Sequence, residues 1–465
     1  MSAYIYDLPD WPHFRWDNEK LAEKLALVRH RQGRLSGRIE AYGVKLRDEA
    51  VLHTMTEEVV KSSEIEGQKL SREQVRSSLA RRLGVDIGAL TPADRNVEGI
   101  VQMILDATRN YDHPVTKERL FGWHAALFPT GYSGLTKIAV GKWRPPEAEP
   151  MQVVSGPYGR ERVHYEAPAA DRVDAEMSAF IAWFNGEQPG VDLVLKAAMA
   201  HLWFESIHPF EDGNGRIGRA LADMMLARSE RSAQRFYSIS AEIKAEQGRY
   251  YDHLEETQRG NLDITEYLDW FLGCLDRAFD GAETILAGVL RKASFWRLHA
   301  GRPFNERQRF MIDRLLDGIE GKLTSSKWAK MTKCSQDTAG RDIVQLLNAY
   351  VLVREPGRGR STNYLLVVTP SDVLRVIADY TRVFSDIFVT NGPALPTPEE
   401  EAKRRAEIEG LAAKIDALAD AALRDGRFTG FNAILDRLHK CGFFPDDQLV
   451  KALAFVRFHT RSPAA

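Results

Sequence analysis

The sequence predicts a mainly α-helical protein. Three observations carry this. Apolar residues recur at helical spacing along most of the chain, as in Leu193–Phe204 and Ile217–Leu226. Strand-like sequence is confined to two short places, Met151–Tyr165 and Val351–Leu366. Composition is that of an ordinary globular protein, with 44% hydrophobic and 28% charged residues. The 465 residues suffice for two to four domains. No internal repeat of fixed period interrupts the pattern.

Charge and cysteine content exclude several classes. The 63 Lys and Arg against 65 Asp and Glu give a formal net charge of −2. There is thus no global basic field, and nucleic-acid contact would need a local patch. Cys274, Cys334 and Cys441 are odd in number and widely spaced, so they give neither a disulfide framework nor a metal site. The expected compartment is reducing and cytoplasmic. No charge-free apolar run approaches 18 residues, so no membrane partner is expected.

Taken in order, residues 1–20 are aromatic-rich and read as an extended segment packed on the body, ending at Asp17. Asp17 suits the N-cap of a helix through Leu21, Leu25 and Val28. Residues 48–66 read as a helix closed by Gly67, a favourable residue just past a helix end. Alone, the tail Lys61–Gly67 is a charged helix end. Further amphipathic helices fill 71–127, with Thr91-Pro92 as a helix start. From Gly131 to Pro150, glycines and prolines break the helical pattern. Met151–Pro157 then reads as a strand into a turn, and Arg162–Tyr165 as the returning strand. Helices resume over 169–185 and 191–204. A single helix is expected over 246–271. His201, seven residues before His208, reads as a buried structural histidine.

The densest chemistry lies in His208-Pro209-Phe210-Glu211-Asp212-Gly213-Asn214-Gly215-Arg216-Ile217-Gly218-Arg219. Pro209 cannot extend the preceding helix without losing a hydrogen bond. The glycines let backbone N–H groups point into the loop, and such groups at a helix start form an anion site. Arg216 and Arg219, three apart, share a helix face. Two guanidiniums beside an N–H nest suit a polyphosphate. Asp212 could hold Mg²⁺, which favours a carboxylate with phosphate oxygens. His208 is the group able to take a proton near pH 7. The chemistry suggested is attack by a hydroxyl on a nucleotide phosphate, with His208 as general base. The loop is neither a Walker A loop nor a His-Glu-x-x-His zinc helix.

Position for position, these twelve residues resemble the signature of the Fic (filamentation induced by cAMP) family, His-Pro-Phe-x-Asp/Glu-Gly-Asn-Gly-Arg-x-x-Arg. That resemblance implies transfer of AMP from ATP to a hydroxyl of a target protein, or of the chain itself. It implies His208 as base, Asp212 as the Mg²⁺ ligand, and Asn214 with the Gly213–Gly215 amides as holders of the α- and β-phosphates. Arg216 and Arg219 would take the β- and γ-phosphates. Tyr250 and Gln258 resemble the adenine side of the pocket. The hairpin residues Val153, Val154, Ser155 and Gly156 resemble the flap that holds a target segment by strand addition. Ser62, Glu66 and Gly67 fit the inhibitory pattern Ser/Thr-x-x-x-Glu-Gly/Asn, in which the Glu pairs with the last arginine of the signature, here Arg219. Two alternatives stand beside protein adenylylation. One is another Fic chemistry, such as transfer of a different nucleotide or phosphate group, or removal of AMP. The other is a nucleotide-sensing DNA-binding regulator.

Residues 302–369 change character. Helices over 307–316, 324–332 and 335–349 precede two short strands around a basic turn, and this resembles a winged helix. Gln336, Thr338 and Arg341 would face a groove of duplex DNA, and Arg358 and Arg360 would meet phosphates. The domain organisation read from this is an N-terminal leader, 1–90, with the inhibitory motif at 62–67. A catalytic core follows at 91–290 and a winged helix at 300–370. Residues 371–398 are a helix and linker, and 399–465 a helical appendage of no assigned role. The sequence leaves the oligomeric state open and admits a homodimer.

Overall fold

The computed structural model describes residues 4–87, 90–146, 151–155, 162–319, 321–349, 351–354 and 362–367. Gly156, Arg358, Arg360 and the segments 371–398 and 399–465 lie outside the described residues. The chain divides into two compact units, Met1–Leu290 and Arg291–Ala465.

The first unit is helical around two central helices. Before them come α1 (Asn18–Glu40), α2 (Val44–Ile65), α3 (Arg72–Leu83), α4 (Arg95–Arg109) and α5 (Lys117–Leu127). Two hairpins then interrupt the helices: β1 (Tyr132–Ser133) with β2 (Thr136–Lys137), and β3 (Gln152–Ser155) with β4 (Arg162–Glu166). There follow α6 (Val173–Asn185), α7 (Leu193–Ile207), α8 (Asn214–Glu230), α9 (Ile239–Ala245), α10 (Gln247–Gln258) and α11 (Thr265–Leu298).

Helix α7 is buried on every side from Val194 to Ile207. A helix apolar all round belongs at the centre of a core rather than on its surface. Its partner α8 is buried continuously from Arg216 to Ala227. Helix α2 is built into the same core. Glu58, in its middle, is buried and accepts hydrogen bonds from Ser238 Oγ at 2.7 Å, from Ser240 N at 3.2 Å and from Ser240 Oγ. A buried carboxylate with three donors is satisfied, so this anchor is a secure one.

Asp17 caps α1 as expected, accepting from Glu19 N at 2.9 Å and Lys20 N at 3.1 Å. Two boundaries differ from expectation. Helix α4 starts at Arg95, where Asp94 accepts from Val97 N at 2.9 Å, and not at Thr91-Pro92. Thr91 N instead bonds Ser77 Oγ at 3.0 Å. The single helix expected over 246–271 is two helices. Leu262 breaks the run at φ 71°, and Arg15 bridges the break, donating to Leu262 O at 2.8 Å and accepting from Ile264 N at 2.9 Å. A distant backbone strand thus pays for a turn that local periodicity does not announce.

The second unit takes in the end of α11 beyond Arg291, then α12 (Glu306–Leu316), α13 (Ser325–Thr332), α14 (Gln336–Asn348) and a hairpin of β5 (Leu352–Arg354) with β6 (Tyr364–Leu366). Asn305, Thr324 and Ser335 cap the three helices in turn. Phe295, Met311, Ile312, Trp328, Ile343 and Leu346 form a separate small core. Asp342 on α14 binds the Arg307 guanidinium through both oxygens, at 2.7 and 3.1 Å, and so ties α12 to α14. Three helices and an antiparallel hairpin stand in the expected order.

Candidate functional site

The site forms where α7 hands over to α8. His208 ends α7 in the left-handed conformation, φ 50°, and turns the chain into the loop. Asn214 closes the loop on itself, accepting from Phe210 N at 3.0 Å and donating to Phe210 O at 2.8 Å. Its amide, expected at a phosphate, is spent on loop shape here. Gly213, at φ 86°, stands at the N-cap, and a side chain there would meet Phe128 at 2.9 Å. No side chain caps α8, and its first internal bond runs from Ile217 N to Gly213 O. The N–H groups of its first turn therefore carry the positive end of the helix dipole outward.

Neighbouring elements hold this loop from below. Arg144 is buried; its backbone N donates to Pro209 O at 2.9 Å and its Nε to His208 O at 2.9 Å. His124 receives Gly141 N on Nδ1 at 3.1 Å, so its Nε2 carries the proton and donates to Asp212 O at 3.2 Å. Ser133 on β1 donates to the Asp212 carboxylate, and Ala139 N to that of Glu211. Sequence reasoning missed Arg144, His124 and Ser133. Ser133 and Arg144 lie in the helix-breaking stretch before the hairpin and His124 on α5, and no sequence pattern sets the three apart.

His208 turns Nδ1 inward, 4.0 Å from Glu205 Oε2. Burial, then the Arg144 charge, pushes its pKa down to about 4, against the pull of the Glu205 backbone and of the Glu66 and Asp212 charges. The ring is therefore neutral at pH 7 and keeps a lone pair, with Nε2 as the nitrogen left for exchange.

The two arginines are both engaged by the end of α2. Arg219, 1% exposed, donates from Nε to Ser62 Oγ at 3.0 Å and from Nη2 to Ser62 O at 2.8 Å. The same Nη2 lies 2.8 Å from Glu66 Oε1. Burial opposes the charge, but Glu66 first, with Tyr250 and Glu205, together outweigh it and raise the Arg219 pKa. Arg216 donates from Nη1 to Gln68 Oε1 at 2.9 Å, with Asp212 3.6 Å from its Nη2. The Glu66 carboxylate rests so close to the Gly215 backbone that any Cβ there would clash with it. Gly67, at φ 75°, lets the chain turn after Glu66. Ser62, Glu66 and Gly67 are thus brought to the signature loop, together with Gln68, which the sequence did not single out.

The expected adenine-side residues lie deeper. Tyr250 is 2% exposed, its hydroxyl 3.3 Å from His201 Nε2. His201 is the buried structural histidine expected, with Nδ1 2.7 Å from the Tyr267 hydroxyl. Gln258 is buried and reaches Ser206 Oγ at 3.4 Å. The aromatic ring open to solvent on α10 is that of Tyr251, 39% exposed.

In the flap, Val153 pairs with Tyr165, Val154 with Val163 and Ser155 with Arg162, with a bulge at His164. Arg259 donates to the carbonyls of Val163 and His164, covering the β4 side. Val154 on β3 is exposed. In the second unit, Gln336 and Arg341 are exposed on α14 and Thr338 is half-buried. The Gln336 amide reaches Ser326 at 3.2 Å, and Arg341 reaches Thr338 at 3.4 Å.

A helix start open beside a neutral histidine and two arginines is an arrangement able to take an anion. Residues 114–226 match the Fic/DOC family, and residues 4–85 match a domain of unknown function (DUF4172). The chain thus carries a Fic/DOC domain over residues 114–226. It is 26% identical over 222 residues to the protein adenylyltransferase Fic of Culex quinquefasciatus, covering 46% of this chain and 39% of that protein. It is 34% identical over 101 residues to a probable protein adenylyltransferase of Aquifex aeolicus, covering 20% and 30% respectively. The match thus spans about two fifths of the first of these relatives and less of the second. Among solved structures, a Fic family protein from Desulfovibrio desulfuricans is 21% identical, covering 75% of this chain and 96% of that one, with a TM-score of 0.41. A Fic domain containing signaling protein from Bacteroides thetaiotaomicron is also 21% identical, covering 56% and 97%, with a TM-score of 0.43. No described helix is long and apolar enough to cross a membrane.

Proposed function

We propose that the chain is a protein adenylyltransferase that moves AMP from ATP to a Ser, Thr or Tyr hydroxyl of a target or of itself. It is held in check by the end of α2. The hydroxyl oxygen attacks the α-phosphorus, the bond to the β-phosphate oxygen breaks, and pyrophosphate leaves. His208 Nε2 takes the hydroxyl proton. The first turn of α8 and Arg216 and Arg219 hold the phosphates, and Asn214 keeps the loop in shape. Tyr250 and Gln258 back the adenine side from within, behind Tyr251. A target strand adds to the β3 edge of the flap.

Asp212 fits Mg²⁺ arriving with ATP, since it offers one half-exposed carboxylate at a helix start, where phosphate oxygens and water would complete the shell. The ion would neutralise charge on the leaving pyrophosphate.

The observation that carries the reading is the double engagement at the end of α2. Glu66 and Gln68 occupy the two arginines that the phosphates require. A contact of that kind suits an enzyme kept closed more than a passive sensor. The test is incubation with ATP labelled at the α- or the γ-phosphate. α-Label on protein is the expected result. γ-Label alone would mean phosphorylation, and neither label would sink the transfer reading.

A second reading concerns the second unit. Between Arg291 and Val367 the chain holds fifteen Lys and Arg against seven Asp and Glu, in a protein of net charge −2. This local excess supports contact with duplex DNA, with Gln336, Thr338 and Arg341 towards bases and Arg358 and Arg360 towards phosphates. Changing Arg358 and Arg360 together to Ala in the full chain should weaken DNA binding and lower its salt slope by up to ~2. An absence of DNA binding at low salt in the unaltered chain would refute this.

A further inference from the structure

One buried acid is not used by the chemistry above. Glu205 lies on the last turn of α7, and its side chain is 8% exposed. Its Oε1 is buried with no hydrogen-bond partner. That oxygen rests against α8 at Gly218, where any Cβ would come within 2.7 Å of it. Its Oε2 is 4.0 Å from His208 Nδ1. The groups that face it are Arg219 on α8, Glu66 after α2, His201 and His208 on its own helix, and Tyr250 and Tyr267. Arg219 also carries an unmet need, since its Nη1 is buried without a partner while Nε and Nη2 serve Ser62 and Glu66. A buried acceptor and a buried donor of opposite charge tendency, both unpartnered, thus share one small cluster.

We propose that Glu205 is a positioning residue, the buried carboxylate that seats Arg219 for the nucleotide once Glu66 has withdrawn. In the closed arrangement two carboxyl groups compete for one guanidinium. Glu66 wins by direct contact, and burial with the Glu66 charge pushes Glu205 up to about 8. Glu205 is then neutral at pH 7. When Glu66 leaves, the guanidinium loses its ion pair, and a buried, uncompensated cation is strongly unfavourable. The nearby carboxyl then ionises beside Arg219, and its charge keeps that side chain at the loop mouth rather than turned to solvent. Gly218 is what makes room for this, because a side chain there would displace the Glu205 carboxyl.

This rests on the adenylyltransferase reading only for the identity of the nucleotide, and the test separates the two. Nucleotide binding is measured by titration calorimetry with ATP and ADP, alongside melting temperature, KM and kcat. The proteins are the full chain, Glu66→Gly, Glu205→Gln, and Glu66→Gly combined with Glu205→Gln or with Glu205→Asp. Glutamine matches the neutral acid in shape and charge. Glutamine also escapes the cost of protonating a carboxylate that is ionised in the unfolded chain, so Glu205→Gln alone should not lower the melting temperature at pH 7 and should raise it. In the Glu66→Gly background the same change should weaken ATP binding and raise KM about tenfold or more, the scale of a charge-assisted contact. ADP binding should change less than ATP binding, because Arg219 serves the end of the phosphate chain. Glu205→Asp should recover part of the ATP affinity, since it keeps the charge. Equal losses of stability in both backgrounds would make Glu205 merely structural and overturn the proposal. So would ATP affinity within twofold of Glu66→Gly in the double variant. If no variant transfers AMP, the binding data still decide the role of Glu205, and only the adenylyltransferase reading falls.

Discussion

Replacing Glu66 with Gly removes the carboxylate that pairs with Arg219 at 2.8 Å. The expected size of the effect can be reached by two routes. Breaking a fully buried ion pair costs ~3–5 kcal/mol, and an exposed one contributes ~0–1 kcal/mol. Arg219 is fully buried, the Glu66 side chain is 30% exposed, and Ser62 still holds the guanidinium twice. The pair should thus contribute roughly 1–3 kcal/mol, intermediate between those limits. That corresponds to a shift of about 5–150-fold between closed and open forms. The second route is catalytic. On the proposed function, Glu66 against Gly215 and Arg219 keeps ATP from seating its terminal phosphate, and misplacement by about an ångström costs on the order of 10²-fold. Both routes give one to two orders of magnitude, so Glu66→Gly should raise AMP transfer from α-labelled ATP by that factor. It should also lower the melting temperature by roughly 3–8 °C, and saturating ATP should restore most of that loss. Arg219→Ala should not activate, because it removes a phosphate ligand with the lock, and the double variant should resemble Arg219→Ala. If Glu66→Gly transfers AMP no faster than the parent while folding normally, the contact at Arg219 is structural and control lies elsewhere.

Other outcomes follow from the same geometry. His208→Ala should lower transfer by ~10²–10⁴-fold with ATP binding retained, and a rate within about threefold of the parent excludes His208 as base. Gly215→Ala should expel Glu66 without activating, because the added Cβ fills the space the carboxylate now uses and that phosphates need; transfer at the Glu66→Gly level would contradict this. Stability should fall below pH 6.5. His124 and His208, at about 4, and His201, at about 3, stay neutral in the fold while the unfolded chain takes up protons. The loss is ~1.4 kcal/mol per pH unit for each histidine. Glu205, raised to about 8, works in the opposite sense, adding stability as pH falls over the same range. Glu205→Gln should therefore steepen the acid loss between pH 5 and 6.5, and denaturation curves parallel to the parent's would disprove that assignment.

Much of this was legible in the sequence because it is local. The caps Asp17, Asn305, Thr324 and Ser335 sit where a short polar side chain precedes apolar periodicity, and a cap needs only its own helix. The loop 208–219 announces itself through glycine, proline and charge within twelve residues. What was hidden depends on distant partners. The break at Leu262 exists because Arg15 pairs with it across 247 positions. Arg144 and Ser133 hold the loop from a stretch whose composition says only that helices end there, and His124 from within α5. Glu205 reads as one more acid before a histidine, and only packing against Gly218 and Arg219 gives it a distinct character. The burial of Tyr250 and exposure of Tyr251 likewise depend on which side of α10 meets α7 and α11.

The deep anchor at Glu58 limits how the contact between Glu66 and Arg219 can open. With that carboxylate satisfied by Ser238 and Ser240, α2 cannot leave as a rigid rod without abandoning three buried hydrogen bonds. The last turn beyond it is tied down too, with Lys244 Nζ on Glu64 O at 2.8 Å and Gln247 Nε2 on Ile65 O at 2.7 Å, so the opening that breaks least is a swing of Glu66 itself next to the hinge at Gly67. Such a swing is a loop-scale event of nanoseconds to microseconds, faster than turnover at typical rates of 1–10³ per second. On the proposed function, the gate therefore re-equilibrates many times within each catalytic cycle. Activity would then follow ATP occupancy moment by moment, with no memory of earlier release.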